Sequence, residues 1–243
     1  MKKLFFSLAV IAVAALGVFA QGDAKPVASI PVVAVTATTL PSDLAKAALA
    51  AQGGEKFKSM KSLVLRGSVD LYAPNSTQSI PGGFMIVTAG DKVRVEIDAR
   101  PAVSFKQVFD GQQSYSSLPG VEMAPFNRIG LALLSRYDQT GITVTAIPDK
   151  KKQRGFRIAD ADGYTTDFYI DPATGRVMSF IVPLQGQTFG VENKKFKEVD
   201  GVLVPSSFTW RMEMPQGAFF ADYNVKDMKL NNAIGDDVFV IPN

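Results

Sequence analysis

Neither cysteine nor histidine occurs anywhere in the 243 residues of this chain. Without cysteine there is no disulfide, no thiol nucleophile and no thiolate metal site, although an exported protein has the redox conditions for bridges. The lipid-bearing cysteine of a bacterial lipoprotein is missing for the same reason. Without histidine, Ser-His-Asp catalysis, the HExxH zinc site and any imidazole general base are excluded. An enzyme built on this chain would depend on carboxylates, lysine or tyrosine. An excess of one charge is lacking too: 26 basic residues stand against 23 acidic ones, a net charge of +3. That is far from the strong positive field of a nucleic-acid binder, so no nucleic-acid partner is expected. Tryptophan occurs once, at position 210.

What the chain does have begins at its first residue. Lys2 and Lys3 precede an apolar stretch over residues 4–18, and Val18-Phe19-Ala20 supplies a small-residue cleavage site. This is the layout of a secretory signal peptide over residues 1–20, cut after Ala20. A membrane-spanning helix needs about 20 apolar residues, and this segment runs into polar Gln21-Gly22-Asp23-Ala24-Lys25. The alternative is an uncleaved anchor. Cleavage removes two lysines and leaves 24 basic against 23 acidic residues, a net charge of +1.

Residues 21–40 are rich in Ala, Val, Thr and Pro, with Pro26 and Pro31 and no amphipathic period. They are expected to form an extended, mobile leader. Residues 41–243 are long enough for one domain with a substantial core. Ser42 is placed to N-cap a short helix, SDLAKAALAAQ, that stops at Gly53-Gly54, with a further helical turn in EKFKSMK. From Leu63 the period changes to two. Apolar and polar residues alternate strictly in Val93-Arg94-Val95-Glu96-Ile97-Asp98, the pattern of an antiparallel strand with one wet face.

The same signal recurs over residues 84–88, 105–109, 114–118, 142–147, 155–158, 166–170, 177–182, 189–199, 203–214 and 218–228. Turn sequences such as Gly90-Asp91-Lys92, Asp110-Gly111 and Asp171-Pro172-Ala173-Thr174-Gly175 separate the segments. A last short strand is expected at Val238-Phe239-Val240-Ile241. The expected fold class is therefore α+β, mainly β. About ten or eleven strands form a single curved antiparallel sheet, an incomplete barrel, with short helices over its open face. One segment breaks the alternation: Phe126, Ile129, Leu133 and Leu134 recur at helical spacing, with Arg128 and Arg136 opposite. This helix, over residues 124–137, is expected to cross the open face, either as a core cover or as a movable lid.

The order of these parts resembles the LolA/LolB-like superfamily of lipoprotein carriers and outer-membrane lipoprotein-sorting proteins. The resemblance spans residues 42–243. It rests on the short helix ahead of a strand, on GDKVRVEI and VFDGQQSYSSLPG, and on TDFYIDPATGRVMSF and VDGVLVPSSFTW. It implies a half-barrel closed by helices around an apolar cavity, and a soluble protein in the periplasm of a diderm bacterium. It also implies binding of acyl chains or other hydrophobic ligands. The tryptophan often found in the aspartate-glycine strand of such proteins is Tyr115 here, and Arg66 and Arg94 are the candidates for a lid-anchoring arginine.

A curled sheet with one covered face must fill its interior with side chains or leave room for a ligand. The chain holds 17 Phe and 8 Met, and many fall on inward phases. The candidate lining comprises Phe84, Ile86, Phe105, Leu131, Leu134, Phe168, Met178, Phe180, Phe208, Trp210 and Met212. Methionine adapts its shape to varied apolar ligands, although every one of these residues also suits a packed core.

Other signals favour ordinary roles. Asp160-Ala161-Asp162-Gly163 departs from the calcium-loop pattern and suits a polar hairpin turn. Lys150-Lys151-Lys152 suits a solvated turn, or contact with anionic headgroups. Ser206 and Ser207 lack a GxSxG context. No catalytic residue, metal site or cofactor is indicated. The expected role is that of a monomeric, non-catalytic periplasmic carrier for a lipid or lipoprotein acyl chain, with a transient envelope protein as a further partner. The alternatives are an envelope scaffold that contacts its partner through residues 21–40 and, less favoured, an integral outer-membrane barrel or an unrecognised hydrolase.

Overall fold

The computed structural model describes residues 32–117, 125–184, 187–214 and 217–242. The expected signal peptide, most of the expected leader and residues 118–124 lie outside them. The chain opens with helix α1 (Pro41–Gln52) and a single turn, α2 (Glu55–Lys58). The N-cap is Leu40, with no side-chain cap, so Ser42 does not fill that role. Pro41 starts the helix instead, because its fixed φ suits the first turn and its missing N–H is not needed there. At the other end, Gly53 and Gly54 donate to the carbonyls of Ala50 and Leu49 and close the helix.

Five strands follow: β1 (Ser62–Tyr72), β2 (Ser79–Ala89), β3 (Lys92–Ala99), β4 (Val103–Phe109) and β5 (Ser114–Ser116). After a turn of 3-10 helix, Phe126–Arg128, and helix α3 (Gly130–Leu134) come seven more. They are β6 (Thr143–Ala146), β7 (Arg154–Ala159), β8 (Thr165–Ile170), β9 (Val177–Leu184), β10 (Gln187–Val199), β11 (Val202–Met214) and β12 (Gly217–Leu230). All twelve join one antiparallel sheet, where the alternation alone predicts ten or eleven; the order is β5-β4-β3-β2-β1-β12-β11-β10-β9-β8-β7-β6. Every neighbour is consecutive in sequence except β1 and β12, whose pairing runs from Leu63↔Leu230 to Tyr72↔Phe220. The free edges are therefore β5 and β6. The sheet is a meander that stays open between these two edges.

Its curl shows in the contacts. Phe84 of β2 and Phe208 of β11 are three strands apart, a separation of about 14 Å in a flat sheet, yet their ring centroids lie 6.4 Å apart. Gly67 sits at a register shift in β1 directly opposite Phe84. A Cβ there would overlap the Asn224 carbonyl and come within 2.9 Å of the Phe84 ring. Glycine at this point lets β12 close on β1 while Phe84 turns inward.

The inner face carries the main core. Leu65, Val69, Leu71, Phe84, Val95, Ile97, Val182, Phe189, Val204, Phe208 and Tyr223 form one cluster. Each such side chain fully buried stabilises the fold by roughly 1.5–3 kcal/mol. A second cluster occupies the β7–β9 side, where Leu44, Ala45 and Ala48 of α1 and Leu133 and Leu134 of α3 cover Phe156, Ile158, Phe168 and Ile170. Val35 packs there too and donates its N–H to the Pro172 carbonyl at 2.8 Å, so the chain just before α1 runs beside the β8–β9 turn.

The helix expected across residues 124–137 is broken. Ile129 is extended, and Gly130 adopts φ +56 against the Phe180 ring, where a Cβ would lie 3.0 Å away. Only a 3-10 turn and five helical residues remain on either side. The expected final strand is absent as well: Asp236–Phe239 is a 3-10 turn. Its apolar residues are used on the other face of the sheet, where Phe239 joins Val64, Val87 and Val108 in a third cluster.

Candidate functional site

The middle of the inner face is aromatic. Tyr223 of β12 stacks on Phe208 of β11 at 4.7 Å, meets Phe84 edge-on at 4.9 Å and lies 4.8 Å from Trp210. Phe189 of β10 completes the group, edge-on to Trp210 at 5.4 Å. Period-two alternation in β11 and β12 places these residues together, because Phe208↔Tyr223 and Trp210↔Ala221 are register partners.

Toward the end of the sheet where β2, β4, β10 and β12 begin, apolar inward residues become half-buried. Ile80, Val103, Phe105, Trp210, Met212 and Phe219 all pack on the central cluster while retaining exposed surface. At the opposite end α1 runs up to the β10–β11 turn, where Gly53 meets Gly201 and Val202. The inner face thus meets α1 at one end and presents an apolar, half-buried mouth at the other.

The link between the sheet edges is tied down at that mouth. Arg128 Nε donates to Asp160 Oδ2 at 2.7 Å, its Nη2 pairs with Asp162, and its guanidinium stands 4.8 Å over the Tyr164 ring. Asp160 is nearly buried, with 7% of its side chain exposed, and its Oδ1 accepts the N–H groups of Asp162 and Tyr164. The Asp160–Gly163 sequence is therefore a hairpin turn that doubles as an arginine receptor. Further along, Gly130 donates its N–H to Thr166 Oγ1 at 3.0 Å in a buried position. Arg66 and Arg94 do not anchor this link. Arg66 is exposed on the other face, and Arg94 bonds Glu96 and the Val238 carbonyl there.

Six buried side-chain atoms have no hydrogen-bond partner among the described residues: Arg94 Nε, Asn127 Oδ1, Arg154 Nη1, the Tyr223 hydroxyl and both ends of the Gln52 carboxamide. Tyr223 and Gln52 stand out among them. Both residues are fully buried. Burial pushes the Tyr223 phenol far above its ordinary range, so it remains a neutral donor.

The candidate lining residues divide by environment. Phe84, Ile86 and Phe208 are buried in the central cluster, and Phe105, Trp210 and Met212 border the mouth. Phe180 is half-buried and touches both clusters beneath Gly130. Phe168 and Leu134 are fully buried under α1, with Leu131 half-buried beside them. Met178 packs into none of the three clusters. A register shift between Tyr169 and Ile170 passes the inward place to Val177, which is fully buried. The alternation of β12 in Phe219-Ala221-Tyr223-Val225 could have nominated Tyr223 and Phe219, and that of β10 could have nominated Phe189.

On the other face, a groove of about 380 Å³ lies over Gly190, walled by Ser179, Thr209, Arg211 and Phe220 with Lys150 and Lys151 above it. Lys150 forms a bridge with Gln153 and stands 5.5 Å over the Tyr169 ring. Among the described residues no group of three acidic side chains is placed to hold a metal ion. No helix among them is long and apolar enough to cross a membrane.

The architecture is similar to that of a solved LolA superfamily protein. Over 84% of this chain and 98% of the other, the fold matches a LolA superfamily protein from Nitrosomonas europaea, with a TM-score of 0.53 at 12% identity. It matches a domain assigned to outer membrane lipoprotein sorting from Vibrio parahaemolyticus over 82% of this chain and 95% of that one, with a TM-score of 0.50 at 12% identity. No protein-family model matches the sequence, and no curated protein matches it either. The likeness is one of fold, carried by a single twelve-stranded open sheet with short helices.

Proposed function

We propose that this chain is an exported, periplasmic, non-catalytic carrier that holds a hydrophobic ligand, a lipid or the acyl chains of a lipoprotein, on the inner face of its half-barrel. The observation that carries the reading is the half-buried ring of Ile80, Val103, Phe105, Trp210, Met212 and Phe219 at the end of the apolar inner face away from the β10–β11 turn. An apolar surface that deepens into an aromatic core is the usual form of a small-ligand pocket. Each methylene moved from water to such a surface is worth about 0.8 kcal/mol, so an acyl chain needs no polar catalysis or metal to be retained. The link held by Arg128 lies at the mouth and forms the cover of the site. The similarity in fold to a lipoprotein-sorting domain agrees with an envelope lipid as cargo.

The test is organic extraction and mass spectrometry of protein purified from the periplasm without detergent. The reading predicts a lipid at near one-to-one stoichiometry. It also predicts reduced retention in Phe180→Arg, which places a charge beneath the cover. A lipid-free protein that takes up no fluorescent fatty acid contradicts the reading and favours an envelope scaffold.

A further inference from the structure

The Tyr223 hydroxyl has no hydrogen-bonding task among the described residues. Its ring is held by Phe84, Phe208 and Trp210, contacts a phenylalanine would make equally well. Its oxygen is buried with no hydrogen-bond partner among the described residues, a state that native interiors rarely tolerate. The residue lies on the inner face, on the strand next to Trp210, and Trp210 is itself half-buried at the mouth. The unpaired donor therefore belongs to the layer of side chains that a chain entering at the mouth meets. Gln52 presents a second unpaired group from α1, one turn beyond Ala48 on the stripe that faces the sheet.

We propose that Tyr223 is the polar anchor of the binding interior, its hydroxyl donating a hydrogen bond to the carbonyl or carboxyl oxygen of an acyl lipid. The inference rests on the carrier reading and sharpens it, because the ligand class becomes oxygenated acyl lipids and excludes bare hydrocarbons as full occupants. A hydrogen bond made in a water-free interior adds selectivity to an apolar site that otherwise accepts any greasy chain.

The experiment compares the protein and its Tyr223→Phe variant in binding three fluorescent probes. These are cis-parinaric acid, its methyl ester, and the hydrocarbon diphenylhexatriene. The expected result is that Tyr223→Phe weakens the acid and the ester about five- to tenfold and leaves the hydrocarbon unchanged. Weakening of the acid alone identifies a free fatty acid as the class served, and weakening of both identifies the acyl carbonyl. Equal affinities of protein and variant for all three probes overturn the anchor and leave the carrier reading standing. Failure of the unaltered protein to bind any probe overturns both. A measurement without a variant guards against misfolding: infrared spectra of the methyl ester labelled with carbon-13 at its carbonyl. Bound to the unaltered protein, the carbonyl band should move to lower wavenumber than in hexane, and an unmoved band overturns the anchor.

Discussion

Arg128 bonds Asp160 at 2.7 Å, and through this pair the segment spanning the gap in the sheet is fixed to the β7–β8 turn. The carboxylate is nearly buried and already accepts two backbone N–H groups. Its charge is thereby committed to this place, and removing the arginine leaves it without a counter-ion. Arg128→Ala is expected to lower the unfolding free energy by about 1–3 kcal/mol, read as a fall in the urea midpoint at constant slope. Hydrogen exchange over residues 126–134 should quicken at the same time. An unchanged midpoint would show that the link is held by Leu133 and Leu134 alone.

The two faces of the sheet should respond independently. Phe239 closes the cluster of Val64, Val87 and Val108 on the outer face, away from the aromatic interior. Phe239→Ala is expected to destabilise by about 3–5 kcal/mol while leaving the affinity for a fatty-acid probe unchanged in the folded protein. Chemical unfolding and a probe titration check the two halves of this statement separately.

Lys58 donates to Asp138 at 2.6 Å and joins α2 to the chain that follows α3. That hydrogen bond, against a smaller effect of burial, holds the Asp138 carboxyl below its usual range. A depressed folded pKa stabilises fully above the unfolded value, near 3.9 for aspartate. The contribution is lost as pH falls through the folded value. The melting temperature of the protein should therefore exceed that of Asp138→Asn at pH 7, and the gap should narrow as the pH falls below the ordinary aspartate range. A gap that persists in acid would assign the effect to packing.

Strands with one wet face were legible because alternation survives in them: Val93 to Asp98 reads as β3 without any tertiary information. The start of β2 was hidden by Pro81, Gly82 and Gly83, poor strand formers that the pairing of β1 nevertheless holds in register. Parity failed at Met178, because a register shift in the β8–β9 pairing, which leaves no mark in the sequence, exchanged it with Val177. The run at Val238 to Ile241 read as a strand, since periodicity cannot tell a short apolar strand from a strap pressed on a sheet. The Arg128–Asp160 pair joins residues from separate elements, and the solitude of the Tyr223 hydroxyl depends on everything around it. Neither has a local signature.

The single tryptophan tests the central claim most directly. Trp210 stands half-buried at the mouth and touches Phe189 and Tyr223, so a chain bound on the inner face lies within energy-transfer range of its indole. Titration with cis-parinaric acid should quench Trp210 emission and raise probe emission together, saturating near one ligand per chain. Unchanged Trp210 emission, with the probe dark at every concentration below its own micelle formation, would contradict a ligand-binding interior.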